Sequence, residues 1–132
     1  MQKEISISTD KRNQLIDITP EINKIIKESR IKQGICIVYC PHTTAAITIN
    51  ESADPDVQED ILTHLSKLIP KNPDFKHSEG NSDSHIKSSL IGASETIIIK
   101  DSELILGTWQ NIYFAEFDGS RKRKVIIKII GD

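Results

Sequence analysis

Short β-branched runs, each stopped by a proline, a glycine or a charged turn, limit what this chain can fold into. Gln2 to Ser8 alternates, with Ile5 and Ile7 on one face, and Leu15 to Ile18 follows the polar turn Asp10 to Asn13. Gly34 to Cys40 is continuously apolar until Pro41, and Ala45 to Ile49 resumes after it. Ile97, Ile98 and Ile99 stand together in Ser94 to Lys100; Gln110 to Phe117 and Lys122 to Ile130 complete the series. Runs of this length and composition are strands. The continuous ones, Gly34 to Cys40 and Ile97 to Ile99, read as covered on both faces. Asp10 to Asn13 and Asp118-Gly119 read as hairpin turns.

Between the strands the period changes. Thr19-Pro20-Glu21 signals a helix start, with the Thr19 hydroxyl as cap, and Ile22, Ile25 and Ile26 form one stripe. Asp54-Pro55 opens a second helix over Asp56 to Leu68, striped by Val57, Ile61, Leu65 and Leu68. Its early acids suit the positive end of the helix dipole. Asp83 or Ser82 can cap a third, short helix through Ser89, closed by Gly92. Seven or eight strands with two to three helices predict an α+β fold with largely antiparallel sheets.

A length of 132 residues fits one domain, 1–132. A net charge of −2 gives no global reason to expect nucleic acid or an anionic membrane. The first ten residues lack the apolar core of a signal peptide, and no run approaches the about 18 apolar residues of a membrane span. The expected location is the cytoplasm. Cys36 and Cys40 lie too far apart along one strand for an easy disulfide and read as buried reduced thiols. Several Ile-rich strands offer more apolar sheet face than the helices obviously cover. That face is buried either between two sheets or by a partner.

Four polar bends at strand ends can carry chemistry. Pro41-His42-Thr43-Thr44 places an imidazole and two hydroxyls where an anion or a metal-bound water can be held; the plain alternative is a self-satisfied turn. Asn50-Glu51 ends a buried strand, and Glu51 is a candidate base or metal carboxylate; the equal alternative is a solvated strand end. Phe75 to Gly92 carries His77, Glu79, Asn81, Asp83 and His85 in close succession. Imidazole is both a common metal ligand and a proton shuttle near neutral pH. The alternative there is a solvated loop before a capped helix. Finally, Gly107-Thr108-Trp109-Gln110 sets the sole tryptophan beside a bend, able to stack on a ring or to fill a core. Glu116, Asp118 and Arg121 crowd the following turn, where Arg121 can fork onto a phosphate. Lys122 and Lys124 belong to a basic run of the kind that is usually solvated.

Three segments, PHTTAAITINESADPDV (Pro41 to Val57), HSEGNSDSHIKSSLIG (His77 to Gly92) and LGTWQNIYFAEFDGSRKR (Leu106 to Arg123), cover over a third of the chain. With them the sequence resembles the YjbQ family of small bacterial and archaeal proteins, also called secondary thiamine-phosphate synthase enzymes. The resemblance implies two packed sheets and a homotrimer in which sheets meet around a threefold axis. It also implies a weak transferase activity that joins hydroxymethylpyrimidine diphosphate to a thiazole phosphate. By motif position it implies a divalent metal ion, zinc or magnesium, at His42, His77 and His85.

On that reading Glu51, Glu116 and Asp118 are the candidate catalytic carboxylates. Thr43, Thr44, Asn81, Trp109 and Arg121 are the candidate substrate contacts. Losing diphosphate from a pyrimidine-methyl carbon calls for charge neutralisation and exclusion of water. The same residues would serve metal-dependent hydrolysis of a small metabolite, or a non-enzymatic phosphometabolite-binding protein.

Overall fold

The computed structural model describes all 132 residues. In chain order the elements are β1 (Gln2–Ser8), β2 (Gln14–Asp17), α1 (Thr19–Ser29), β3 (Gln33–Tyr39), β4 (Ala45–Glu51) and α2 (Pro55–Leu68). There follow α3 (Ser82–Ile91), β5 (Ser94–Lys100), β6 (Glu103–Leu104), β7 (Gln110–Glu116) and β8 (Lys122–Gly131). One sheet has the order β1-β8-β3-β5-β6 and the other β2-β7-β4, all pairs antiparallel. The fold is α+β with two antiparallel sheets.

The core forms where the strands' inward residues meet. Cys36 and Val38 of β3, Ile97 and Ile99 of β5, and Val125, Ile127 and Ile129 of β8 point one way from the larger sheet. Ile47 of β4 with Ile112 and Phe114 of β7 face them from the smaller sheet, and Ile22, Ile25 and Ile26 of α1 close the side. The helix stripe and the strand alternation thus serve one interior. Cys36 and Cys40 are free and buried there. Burial pushes the Cys36 thiol up to about 11, so it stays protonated. A smaller cluster, Ala46, Ala115 and Phe117, packs under Leu62 and Leu65 of α2.

Three expectations need correction. First, β1–β2 and β7–β8 are not hairpins, because in each pair the strands lie in different sheets. The polar bends between them are crossings, and they bond to each other: Thr9 N–H reaches Arg121 O at 2.9 Å and Gly119 N–H reaches Arg12 O at 3.1 Å. Only β5–β6 turns back tightly, through Asp101 and Ser102 at positive φ.

Second, the Ile-rich strands are not covered on both faces. Ile98 is 61% exposed, and Ile35, its cross-strand partner, lies between it and the equally outward Ile130. Third, the expected caps at two helices are otherwise engaged. Thr19 Oγ1 accepts from Ile112 N–H at 2.8 Å, while Asp17 Oδ1 takes Thr19 N–H at 2.9 Å. At α3 neither Ser82 nor Asp83 caps; Asn81 stands in the cap position and makes no side-chain cap bond. Asp54 caps α2 as expected, accepting from Asp56 N–H at 2.9 Å.

The register fixes where a site can form. Ala45 of β4 pairs with Glu116 of β7, and Glu51 pairs with Gln110. The Ala45–Glu116 end is where the chain crosses between sheets; the Glu51–Gln110 end lies about 20 Å away at about 3.3 Å per strand residue.

Candidate functional site

At the crossing end a carboxylate is buried before any pocket is reached. Glu116 is fully buried and accepts from Thr9 Oγ1 at 2.8 Å, Arg123 Nε at 2.8 Å, Arg123 Nη2, and the Phe117 and Asp118 N–H groups at 3.1 Å each. Burial alone would raise its pKa, but the bonds from Arg123 and Thr9 outweigh it and hold the carboxyl below its ordinary value. Arg123 in turn donates to Thr44 Oγ1 at 2.8 Å, which ties the bend after β3 to the start of β8.

A second layer lies outside this one. Asp118 Oδ2 accepts from Asn81 Nδ2 at 2.9 Å and from Arg121 Nη2 at 2.7 Å. Arg121 Nε also donates to the Asp118 carbonyl at 2.8 Å, yet the arginine side chain remains about half exposed. Helix α3 is anchored beneath by Asp83, which Arg12 grips through both guanidinium nitrogens at 2.9 and 3.1 Å. Buried Lys87 stands 3.7 Å from Asp83 and donates to Asn13 Oδ1 and Ser66 Oγ. Desolvation pushes its ammonium below the ordinary lysine value.

Above these layers opens a cavity of about 390 Å³ lined by eleven residues, none of them hydrophobic. His42, Thr43 and Thr44 supply one wall; His77, Glu79, Asn81 and His85 a second; Asp118, Arg121 and Arg123 the third. The His77 and His85 rings meet edge to face with centroids 5.3 Å apart. His42 is tied to the backbone, Nε2 accepting from Lys124 N–H at 3.0 Å. Burial and the Arg123 charge push its imidazole below the ordinary value, and Nε2 also lies 3.1 Å from the Lys124 carbonyl.

The family model described as "UPF0047 protein YjbQ-like" matches residues 3–132. The chain belongs to the YjbQ (UPF0047) family. A UPF0047 protein of Methanocaldococcus jannaschii is 64% identical over 96% of this chain and 91% of its own length. The UPF0047 protein YugU of Bacillus subtilis is 49% identical over 99% and 100%. A YjbQ/UPF0047 crystal structure from Clostridium acetobutylicum superposes with a TM-score of 0.95 at 57% identity, covering 97% of this chain and 99% of that one. A YbjQ-like protein of unknown function from Sulfolobus solfataricus gives a TM-score of 0.96 at 34% identity, covering 100% and 97%.

In this YjbQ chain residues from several of the polar bends come together. His42, Thr43, Thr44, His77, Asn81, His85, Asp118 and Arg121 share one pocket. Two expected members are elsewhere. Glu51 ends β4 at the far edge of the smaller sheet, and Trp109 is 61% exposed beside it, its carbonyl taking Ser52 N–H at 2.8 Å. Glu116 lies beneath the pocket rather than in its lining, and its oxygens are taken by five donors, two of them on Arg123.

The three imidazoles line one space without closing a metal centre. No three His, Cys, Asp or Glu side chains are grouped to hold an ion, and His42 Nε2 is engaged with the Lys124 backbone. A zinc site needs three or four such ligands. Arg123 was the missed member. Its signal lay in the alternation Arg123, Val125, Ile127, Ile129, which puts it on the inward face of β8 while Lys122 and Lys124 point outward.

Proposed function

We propose that this pocket takes a small phosphorylated metabolite and that the chain acts as a thiamine-phosphate synthase-like transferase. In that reaction hydroxymethylpyrimidine diphosphate joins a thiazole phosphate. The observation that carries the reading is the wholly non-hydrophobic lining with two arginines. Arg121 is free to serve. Its bond to Asp118 is partly exposed, and such pairs contribute only about 0–1 kcal/mol. The guanidinium can therefore pass to phosphate oxygens at small cost and grip two of them at once. Arg123 is fixed by Glu116, whose charge offsets its own, and it holds Thr44 at the pocket wall. Thr43 and Thr44 offer hydroxyls to the same anion.

In the transfer the bond from the pyrimidine-methyl carbon to the diphosphate oxygen breaks, and its electron pair leaves with the diphosphate. The thiazole nitrogen then bonds to that carbon. Charge on the departing oxygen is met by Arg121, and an imidazole of His77 or His85 can donate to it. Metal-dependent hydrolysis would need a third protein ligand beside His77 and His85, which the chain alone does not bring within reach.

The same reading includes a homotrimer, supported by the outward row Ile98–Ile35–Ile130 that nothing in one copy covers. Glu51 and Trp109 can reach such a pocket only from another copy. It also places the protein in the cytoplasm, which the free buried thiols support; no helix is long and apolar enough to cross a membrane.

The test is thiamine phosphate formation by the wild type, Arg121→Ala and His85→Ala, alongside pyrophosphate binding by calorimetry. A loss of about tenfold or more in kcat/KM is expected for each variant, from the deletion of one charge-assisted bond to the leaving group. Full activity in both variants refutes the site. Pyrophosphate binding without turnover assigns a binding protein instead.

A further inference from the structure

Helix α3 buries an unusual face. Its four buried residues, Asp83, Ser84, Lys87 and Ser88, are all polar, while Ile86 and Leu90 are 41% and 61% exposed. Apolar contact is non-directional and would let a helix turn about its axis; directional bonds do not. At the far end Ser88 Oγ donates to Ala45 O at 2.6 Å, and Gly92 O accepts from Ile47 N–H at 3.1 Å. At the pocket end the hold is Arg12. Its guanidinium grips Asp83 through both terminal nitrogens, and Nη2 also donates to Ser84 Oγ at 3.2 Å. Ser84 Oγ donates in turn to Phe117 O at 2.5 Å. The Arg12 carbonyl accepts from Gly119 N–H, in the turn that carries Asp118 and Arg121. One residue outside the pocket lining thus ties together the two walls that bear His85 and Arg121.

We propose that Arg12 is a positioning residue: its planar fork sets the turn of α3 about its axis, and with it the place of the His85 ring in the pocket, without touching the ligand. The fork matters here more than the charge. Lys87 already stands 3.7 Å from Asp83, so a cation beside that carboxylate is not what the helix lacks. Two parallel bonds fix the plane of the carboxylate, which a point charge cannot do. The leverage is large. Side-chain tips lie about 5–6 Å from a helix axis, so slack of about 20° moves the imidazole by about 2 Å. That is ample to part His85 from the His77 ring and from a phosphate held by Arg121. The aim of His85 follows from these contacts alone; its consequence for a ligand rests on the phosphometabolite reading of the pocket.

Arg12→Lys and Arg12→Ala test this with three readouts: thermal melting, the NMR signals of the His85 imidazole with their Overhauser contact to the His77 ring, and calorimetry with pyrophosphate. Arg12→Lys keeps the charge and is expected to melt within about 4 °C of wild type. Even so its His85 signals shift and the contact to His77 weakens. Pyrophosphate binds it about threefold or more weakly, as when one hydrogen bond to the ligand is lost. Arg12→Ala shows the same changes and melts lower. A merely structural role would lower the melting temperature of Arg12→Ala and leave the His85 signals of the folded variants as in wild type; that result overturns the proposal. So does a shift confined to Arg12→Ala, which would make charge rather than the fork responsible. Should alanine prevent folding, Arg12→Lys decides alone, and unshifted His85 signals overturn the proposal. If pyrophosphate fails to bind wild type, the phosphometabolite reading fails, while the His85 signals still decide the role of Arg12.

Discussion

Glu116→Ala should be among the most damaging single changes in this protein outside the apolar core. The carboxylate is fully buried and answers five donors, two of them on Arg123, which is itself only 8% exposed. Removing it leaves a guanidinium in the interior without its counter-charge, and orphans the Phe117 and Asp118 N–H groups. Breaking a buried pair from one side typically costs about 3–5 kcal/mol. For a chain of this size that corresponds to a fall in Tm of roughly 10–20 °C. Paired replacement, Glu116→Leu with Arg123→Met, removes both charges and should recover a large part of the loss.

Urea melts of the wild type, the single variant and the double variant measure all three. A single-variant loss under about 1 kcal/mol, or a double variant less stable than the single, would show that the pair is not the strut described. The same pair sets the acid limit. The folded carboxyl lies below its ordinary value, so its stabilisation is full above the unfolded carboxyl range and declines as pH falls through the folded value. Stability of the wild type should therefore drop steeply at low pH, and the double variant should show a shallower acid limb.

The remaining predictions concern the crossing bend and the open sheet face. In Gly119→Ala the new Cβ would lie 2.1 Å from Lys11 O and 2.9 Å from Thr9 Oγ1, so backbone must move. A loss of about 1–3 kcal/mol in a thermal melt is expected, and a change within about 0.5 kcal/mol would contradict the packing. Ile98→Glu alters a side chain that is 61% exposed in one copy and should leave the fold's near-UV signal intact. If the Ile98–Ile35–Ile130 row joins copies, the variant sediments as a monomer where wild type does not. Equal sedimentation of the two would remove that row from the interface.

How much was legible in the sequence depended on whether the information was local. The Asp54-Pro55 start of α2 needs only neighbours along the chain, and it forms as read, with Asp54 accepting from Asp56. The bends at Asp10–Asn13 and Asp118–Gly119 were also legible as bends, but their chemistry does not say whether the next strand joins the same sheet. That choice belongs to the facing apolar surfaces, which divide β1 from β2 and β7 from β8. Glu51 and Trp109 lie outside this pocket for a related reason. Both sit at strand ends, as the pocket residues do, and only register separates the Ala45–Glu116 end from the Glu51–Gln110 end. Arg123 was hidden by its two lysine neighbours, whose charge suggested a solvated run, although its phase matched the buried isoleucines.

The crossings themselves account for the polarity of the pocket floor. Three chain segments, after β1, β3 and β7, leave one sheet for the other at this end. Each crossing takes backbone groups off the strand ladder, and buried backbone donors must find other acceptors. Glu116 supplies them for Phe117 and Asp118, and Thr9 Oγ1 accepts Arg121 N–H at 2.8 Å. The inner polar layer is thus a requirement of the topology, whatever the protein binds. The outer layer is only partly of this kind: Arg121 Nε donates to the Asp118 carbonyl in the β7–β8 crossing, whereas the His77 and His85 rings line the pocket and satisfy no crossing backbone.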